Sequence, residues 1–229
     1  MRFLYFFLSL FCIFTSAHAQ FSGHYNALNI TGTTNTLKSE IPLAQPSVTG
    51  STYLDDDWQP AEIVLKDGNV ISELPVRVEI EQGNVEIQYK GEVKFLNLAR
   101  VDSLMLVDRT TQSTVIVVKA AAFVVDGVPL QGIAMVHSGK QYNVVKHLYI
   151  EFLPSNYNVA MDVGSKDHRK VKKERLYLAN GSDIVLMKGS NKKILKQLHL
   201  ENANTLEIIR QEKLNLTNES DLIRFVDLM

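Results

Sequence analysis

Residues 75–89, Pro75-Val-Arg-Val-Glu-Ile-Glu-Gln-Gly-Asn-Val-Glu-Ile-Gln-Tyr89, decide the fold. Val76, Val78 and Ile80 alternate with Arg77 and Glu79. After the turn residues Gln82-Gly83-Asn84, Val85, Ile87 and Tyr89 alternate with Glu86 and Gln88. A two-residue period is that of a strand with one face on a core and the other in water. The turn is too short for a crossover helix, so the two strands run antiparallel.

The same texture extends outward in both directions. Upstream, Ala61–Leu65 runs into Lys66-Asp67-Gly68-Asn69, and Asp-Gly is a strong hairpin signal. Downstream, strands are expected over 101–107 and 114–118, with Arg109–Gln112 as the turn between them. Ala120–Val125 reads as a strand ending at Asp126-Gly127. Ile133–Val136 leads to Ser138-Gly139-Lys140, Tyr142–Phe152 is a longer strand or a bent pair, and Lys172–Leu178 and Asp183–Met187 flank Asn180-Gly181. The expectation is a mainly β chain with an α-helical C-terminal tail (α+β). Its antiparallel meander would form a sandwich, an open barrel or a coiled sheet.

After Lys188 the period changes. Ser190 caps a helix carrying Ile194, Leu195 and Leu198. Asn204 with Glu207 marks a second start, and Asn218 with Asp221 a third, whose Leu222, Val226 and Met229 share a face. Such short helices need a surface to dock on, either the β domain or a partner. The segments are therefore 1–19, a cleaved export signal; 20–52, a flexible or extended leader with one candidate edge strand at Tyr25–Ile30; 53–187, the β domain; and 188–229, the helices.

The export signal rests on Arg2, the apolar run 3–14 and Ala17-His18-Ala19, which places cleavage before Gln20. The run is shorter than the ~20 apolar residues that span a bilayer, and no transmembrane helix is expected in the mature chain. The one cysteine, Cys12, lies inside the signal. Disulfides, thiol nucleophiles and cysteine zinc sites are thus excluded after cleavage. A disulfide-free exported chain suits a bacterial periplasm or outer-membrane-associated location. The net charge of −1 gives no case for nucleic acid.

Several motifs punctuate the chain: Gly50-Ser51-Thr52-Tyr53-Leu54, Trp58, Ala61–Gly68, the unit Val136–Lys140, Leu176-Tyr177-Leu178 running to Lys196, and Lys213-Leu214-Asn215-Leu216 followed by Asp221-Leu222-Ile223. In these the chain resembles a family of uncharacterised exported proteins common in Bacteroidetes. The resemblance implies an exported β-rich architecture and no particular activity.

Chemistry-bearing motifs are sparse. Asp55-Asp56-Asp57 offers Asp55 and Asp57 at the spacing of calcium ligands, without the Gly and distal Glu of a calcium loop; a solvated turn is the simpler reading. The basic run Lys166–Arg175, above all Lys170, Lys172 and Lys173, could meet an anionic surface. The competing reading is an edge strand protected by lysines. His24, His137, His147, His168 and His199 lack helical metal spacing, and Gly-x-Ser-x-Gly is absent. Ser190-x-x-Lys193 is better explained as a helix cap. No catalytic or cofactor-binding residue is assigned, and no cofactor is implied.

The leading expectation is a non-catalytic envelope protein that binds a protein or a surface. The alternative is a lipocalin-like carrier of a small apolar ligand, lined by Val115, Val117, Phe123, Val125, Val144, Leu148, Ile150 and Phe152. An intact-mass measurement on protein exported by an expressing bacterium is expected to give a chain beginning at Gln20. A mass that still includes residues 1–19 would contradict the cleaved signal.

Overall fold

Asn97 and Val101 set the shape of the sheet. The computed structural model describes residues 47–107, 114–181 and 183–229. The export signal, Cys12, His24, the strand expected at Tyr25–Ile30, the leader as far as 46 and the turn Arg109–Gln112 lie outside those residues. Strand β2 (Gln59–Leu65) pairs with β3 (Val70–Glu79), β3 with β4 (Asn84–Tyr89), and β4 with β5 (Glu92–Asn97), all antiparallel. The chain then makes one turn of 3₁₀ helix, Leu98–Arg100, and enters β6 (Val101–Val107), which pairs with β2. In a flat sheet β5 and β6 would stand ~19 Å apart, at about 4.8 Å per strand. Three linking residues reach only ~14 Å. The sheet must curl, and Asn97 helps hold the corner by accepting the Ala99 N–H at 2.8 Å.

The sheet continues from β6 through β7 (Thr114–Lys119), β10 (Ile133–Ser138), β11 (Asn143–Leu153) and β12 (His168–Asn180) to a short β13 (Asp183–Leu186). A second, two-stranded ribbon, β8 (Val124–Val125) with β9 (Val128–Pro129), stands off it. The result is one open, curled sheet of eleven strands with no closed barrel among the described residues. One pair departs from the antiparallel expectation: β1 (Val48–Thr49) lies parallel to His168 and Arg169 of β12.

That parallel pair belongs to a strap that starts inside the expected leader. Residues 47–54 leave β12 and reach β3, where the Leu54 N–H donates to the Val78 carbonyl (2.8 Å) and the Ile80 N–H to that of Thr52 (2.9 Å). The strap therefore bridges two flanks of the curl. Gly50 is required at the crossing. Its φ is +108°, and a Cβ there would lie 2.1 Å from the Lys170 carbonyl oxygen. Beyond it, Arg77 is clamped. Its guanidinium lies 3.9 Å from the Tyr53 ring centroid and 4.9 Å from that of Trp58, and donates to Glu86 Oε2 at 2.7 Å. The Tyr53 hydroxyl donates to Glu86 Oε1 at 2.7 Å, which explains why Glu86 is buried on the face read as wet. Gly50, Tyr53 and Trp58, three of the many residues quoted for the resemblance, act here at the strap and its clamp.

The concave face carries the main core, with Ile63, Val76, Leu104, Val117 and Ile133 at its centre. Helices α1 (Asn191–Gln197), α2 (Ala203–Gln211) and α3 (Glu219–Leu228) cover the same face at its β11–β12 end. Ile194, Leu195, Leu216, Leu222, Phe225 and Val226 bury there against Val144, Leu178 and Met187. The tail thus docks on the β domain. Ser190 and Asn218 cap α1 and α3 as read from the sequence, whereas α2 starts at Asn202 rather than Asn204. Asn202 accepts both the N–H and the hydroxyl of Thr205, at 2.9 Å each. A second correction concerns Ala120–Val125. Residues Ala120–Ala122 form a 3₁₀ turn that folds back over the convex face, where Ala120 packs with Ala134, Val145 and Tyr177. Small alanines lack the branched bulk that favours a strand.

Replacing Arg77 by Ala is expected to cost about 3 kcal/mol, because it leaves a buried carboxylate without its cation. Chemical denaturation measures this, and a loss below about 0.5 kcal/mol would show that the clamp does not hold the strap.

Candidate functional site

The mouth of the curl is the first place to look for chemistry. Strand pairing places Val144, Lys146, Leu148 and Ile150 of β11 on the concave face, opposite Leu178, Leu176, Glu174 and Lys172 of β12. Of these, Lys146, Leu148, Lys172 and Glu174 line a cavity of about 210 Å³ together with Leu106 of β6, Met135 of β10, and Asp55 and Gln59 beyond the strap. That is below the ~300 Å³ of the smaller ligand pockets.

Lys146 is 8% exposed, between the apolar Val144 and Leu148 of its own strand face. It is tolerated there because its ammonium reaches Glu219 Oε2 at 2.7 Å. Glu219 stands in the first turn of α3, where the helix dipole also favours a negative charge. The pair ties the tail to the sheet across 73 positions of sequence. Lys172 donates to the Leu54 carbonyl at 2.9 Å, so it ties β12 to the strap. The described lining includes no Ser, Thr, Cys or His, and it presents opposite charges side by side. Lys146 and Lys172 thus tie the tail and the strap to the walls of this cavity.

The residues singled out from the sequence fall as follows. Asp55 lines the mouth and accepts the Asp57 N–H at 3.0 Å, a turn bond that occupies one carboxylate oxygen. Among the described residues, no group of three or more His, Cys, Asp or Glu side chains is placed to hold a metal. The basic run becomes the first half of β12, and its alternation divides it between two faces. Lys170 pairs with Glu81 at 2.5 Å, and Lys172 is engaged on the strap. Lys173 lies on the opposite face, 3.3 Å from Glu151. The structure does not bring these three lysines into one patch. The carrier residues are likewise separated. Val115, Val117 and Leu148 are packed in the main core beside Ile150, Val144 lies under the helices, Phe123 and Val125 sit on the convex face, and Phe152 is exposed.

Among the described histidines, His147 has the most unusual setting. Its Nε2–H donates to the Gln131 carbonyl at 2.6 Å, and its ring stacks on Tyr149 at 5.1 Å. Nδ1 is buried without a partner. Burial holds the imidazole below its usual pKa and outweighs the opposing hydrogen bond; Arg175 on the neighbouring strand adds to the depression.

Sequence reasoning passed over the loop 154–167 between β11 and β12. Its frame is hydrogen-bonded throughout. Ser155 Oγ donates to the Ser165 carbonyl, the Ser165 N–H to Asn156 Oδ1, and the Asn158 N–H to the Val163 carbonyl, each at 2.8 Å. On this frame Val159 is 70% and Met161 68% exposed, with Val163 beside them. The signal was available: apolar residues at 159, 161 and 163 within a segment of turn formers. Comparison with protein-family models, curated proteins and solved structures finds no match.

Because the folded pKa of His147 is lowered, the unfolded chain binds its proton more readily. Stability from this residue is full above about pH 6.5 and declines as pH falls below that value. Urea midpoints at roughly pH 7.5 and 5.5 are expected to differ, and the difference is expected to shrink in His147→Gln. An unchanged difference in the variant would rule out His147 as its source.

Proposed function

We propose that the protein is a non-catalytic binding module of the bacterial cell envelope, exported to the periplasm or the outer membrane, that contacts a protein partner. Membership of the exported Bacteroidetes family is part of this proposal; it rests on the sequence motifs, of which residues 50–54 lie in the strap. The observation that carries the binding reading is the loop 154–167. Three large apolar side chains stand in water at its tip, although the chain beneath them is held by a dense set of hydrogen bonds. Loops of this length without strand or helix are uncommon unless they serve recognition. A scaffold that fixes a loop also lowers the entropy lost on association.

The charge distribution supports the same reading. Lys170 and Lys173 each pair with a carboxylate and Lys172 donates to the Leu54 carbonyl, so the three cations read as candidates for an anionic surface are all engaged within the protein. A protein partner that offers an apolar pocket fits the loop tip better than a field of negative charge.

A photo-crosslinking residue placed at Met161 in the native host is expected to capture one envelope protein, and the same probe at exposed Glu201 is expected to capture none. Replacing Val159, Met161 and Val163 together by Ser is expected to abolish capture by a probe at Tyr157 while moving stability by less than about 1 kcal/mol, as for other exposed positions. Absence of a specific adduct at Met161 would overturn the reading.

A further inference from the structure

Another apolar exposure lies at the opposite flank of the sheet, on β5, and it does not depend on the loop. Among the described residues β5 pairs only with β4, so one whole edge of Glu92–Asn97 is open. Natural sheets usually cover or twist away such an edge, because its free N–H and C=O groups invite another strand. Here the edge carries Phe95, which is 72% exposed, and Val93.

The backbone sets which groups are offered. Lys90 (φ +50°) and Gly91 (φ +80°) form a two-residue turn of the type in which both central residues have positive φ. Tyr89 and Glu92 flank that turn and oppose one another. In such a hairpin the flanking pair exchanges its backbone hydrogen bonds. Glu92, Lys94 and Leu96 therefore turn their backbone groups toward β4. The Leu98 N–H, next in that series, does donate inward to the Gly83 carbonyl at 2.9 Å. Val93 and Phe95 are left with N–H and C=O groups pointing out of the sheet.

The charges then select the partner. Glu92 and Lys94 are two positions apart, share one face and pair with each other within the strand. A strand that meets them antiparallel in the register of Val93 on Val93 must carry Lys opposite Glu92 and Glu opposite Lys94. The sequence Glu92-Val93-Lys94 is itself that strand. Shifting the register by two residues would instead place Lys94 directly against Lys94. We infer that β5 is a self-complementary edge that takes β5 of a second copy of this chain, antiparallel and centred on Val93, to form a two-fold dimer with a continuous sheet. In this dimer Val93 lies against Val93, and the two Phe95 rings flank the pair.

The test is sedimentation of the exported form of the full chain at low ionic strength, over a wide concentration range. The wild type is expected to show a concentration-dependent monomer–dimer equilibrium. Glu92→Lys and Lys94→Glu each replace two attractions by two repulsions, so each variant alone is expected to dissociate roughly tenfold or more readily. An equimolar mixture of the two variants is expected to form a heterodimer, and the double swap E92K/K94E to dimerise like the wild type. Both side chains are exposed, and far-UV circular dichroism of each variant verifies the fold. A wild type that stays monomeric at every concentration would overturn the inference. A dimer that both single reversals leave intact would also overturn it, since the contact would then lie elsewhere.

Discussion

A three-residue link sets the architecture of this protein. Leu98–Arg100 must carry the chain from β5 to β6, which lies four strands away in the sheet order. That link is short enough to exclude a flat sheet. Curling gives the β2–β7 region a concave face on which Ile63, Val76, Leu104 and Val117 meet. It also creates two flanks that need closing. The strap closes one end with the Arg77 clamp, and the three helices cover the other through the Lys146–Glu219 pair. The charged contacts of the interior follow from these two closures. Each places an ion pair where the curl would otherwise leave polar and apolar surface open to water, and each carboxylate is partly shielded from solvent.

Sequence reasoning succeeded where one residue type met one environment. The alternation in 76–87 reports half-buried strands directly, because Val76, Val78, Ile80, Val85 and Ile87 all lie in the main core. Ser190 and Asn218 were legible as caps because a side-chain oxygen at a helix start has one local task. Strand β5 escaped detection for the opposite reason. Almost every side chain of Glu92–Asn97 is exposed, so no buried face imposes a period on its sequence. Strand β12 was read too short, since His168–Lys173 is polar and is ordered by pairing with β11 and the strap rather than by burial. The three alanines at 120–122 were misread because a run of apolar residues does not distinguish a strand from a tight turn packed on a face.

The candidate sites were harder to read, because their geometry depends on residues far apart in the chain. Lys146 and Glu219 are unremarkable in isolation, and only the docking of α3 on β11 makes them a buried pair. Lys170, Lys172 and Lys173 look like one patch in sequence, but a strand places neighbours on opposite faces, and that period separates Lys173 from the other two. The loop 154–167 could have been noticed from Val159, Met161 and Val163, yet only the fold reveals that these side chains stand in water.

The connections to β12 bear on how the molecule is made. The strap joins that strand from about 120 residues upstream, and the tail covers the sheet from far downstream. Contacts so distant in sequence slow folding, since long loops must close before they are rewarded. A chain growing from its N-terminus can form the β2–β5 hairpins early, but the strap must wait for His168, and the sheet stays uncovered until Phe225 and Val226 appear. A product lacking only its last turns would keep a lysine and a greasy surface bare. Proteases that recognise unfinished chains would therefore discriminate sharply between the whole molecule and one that stopped a few residues short.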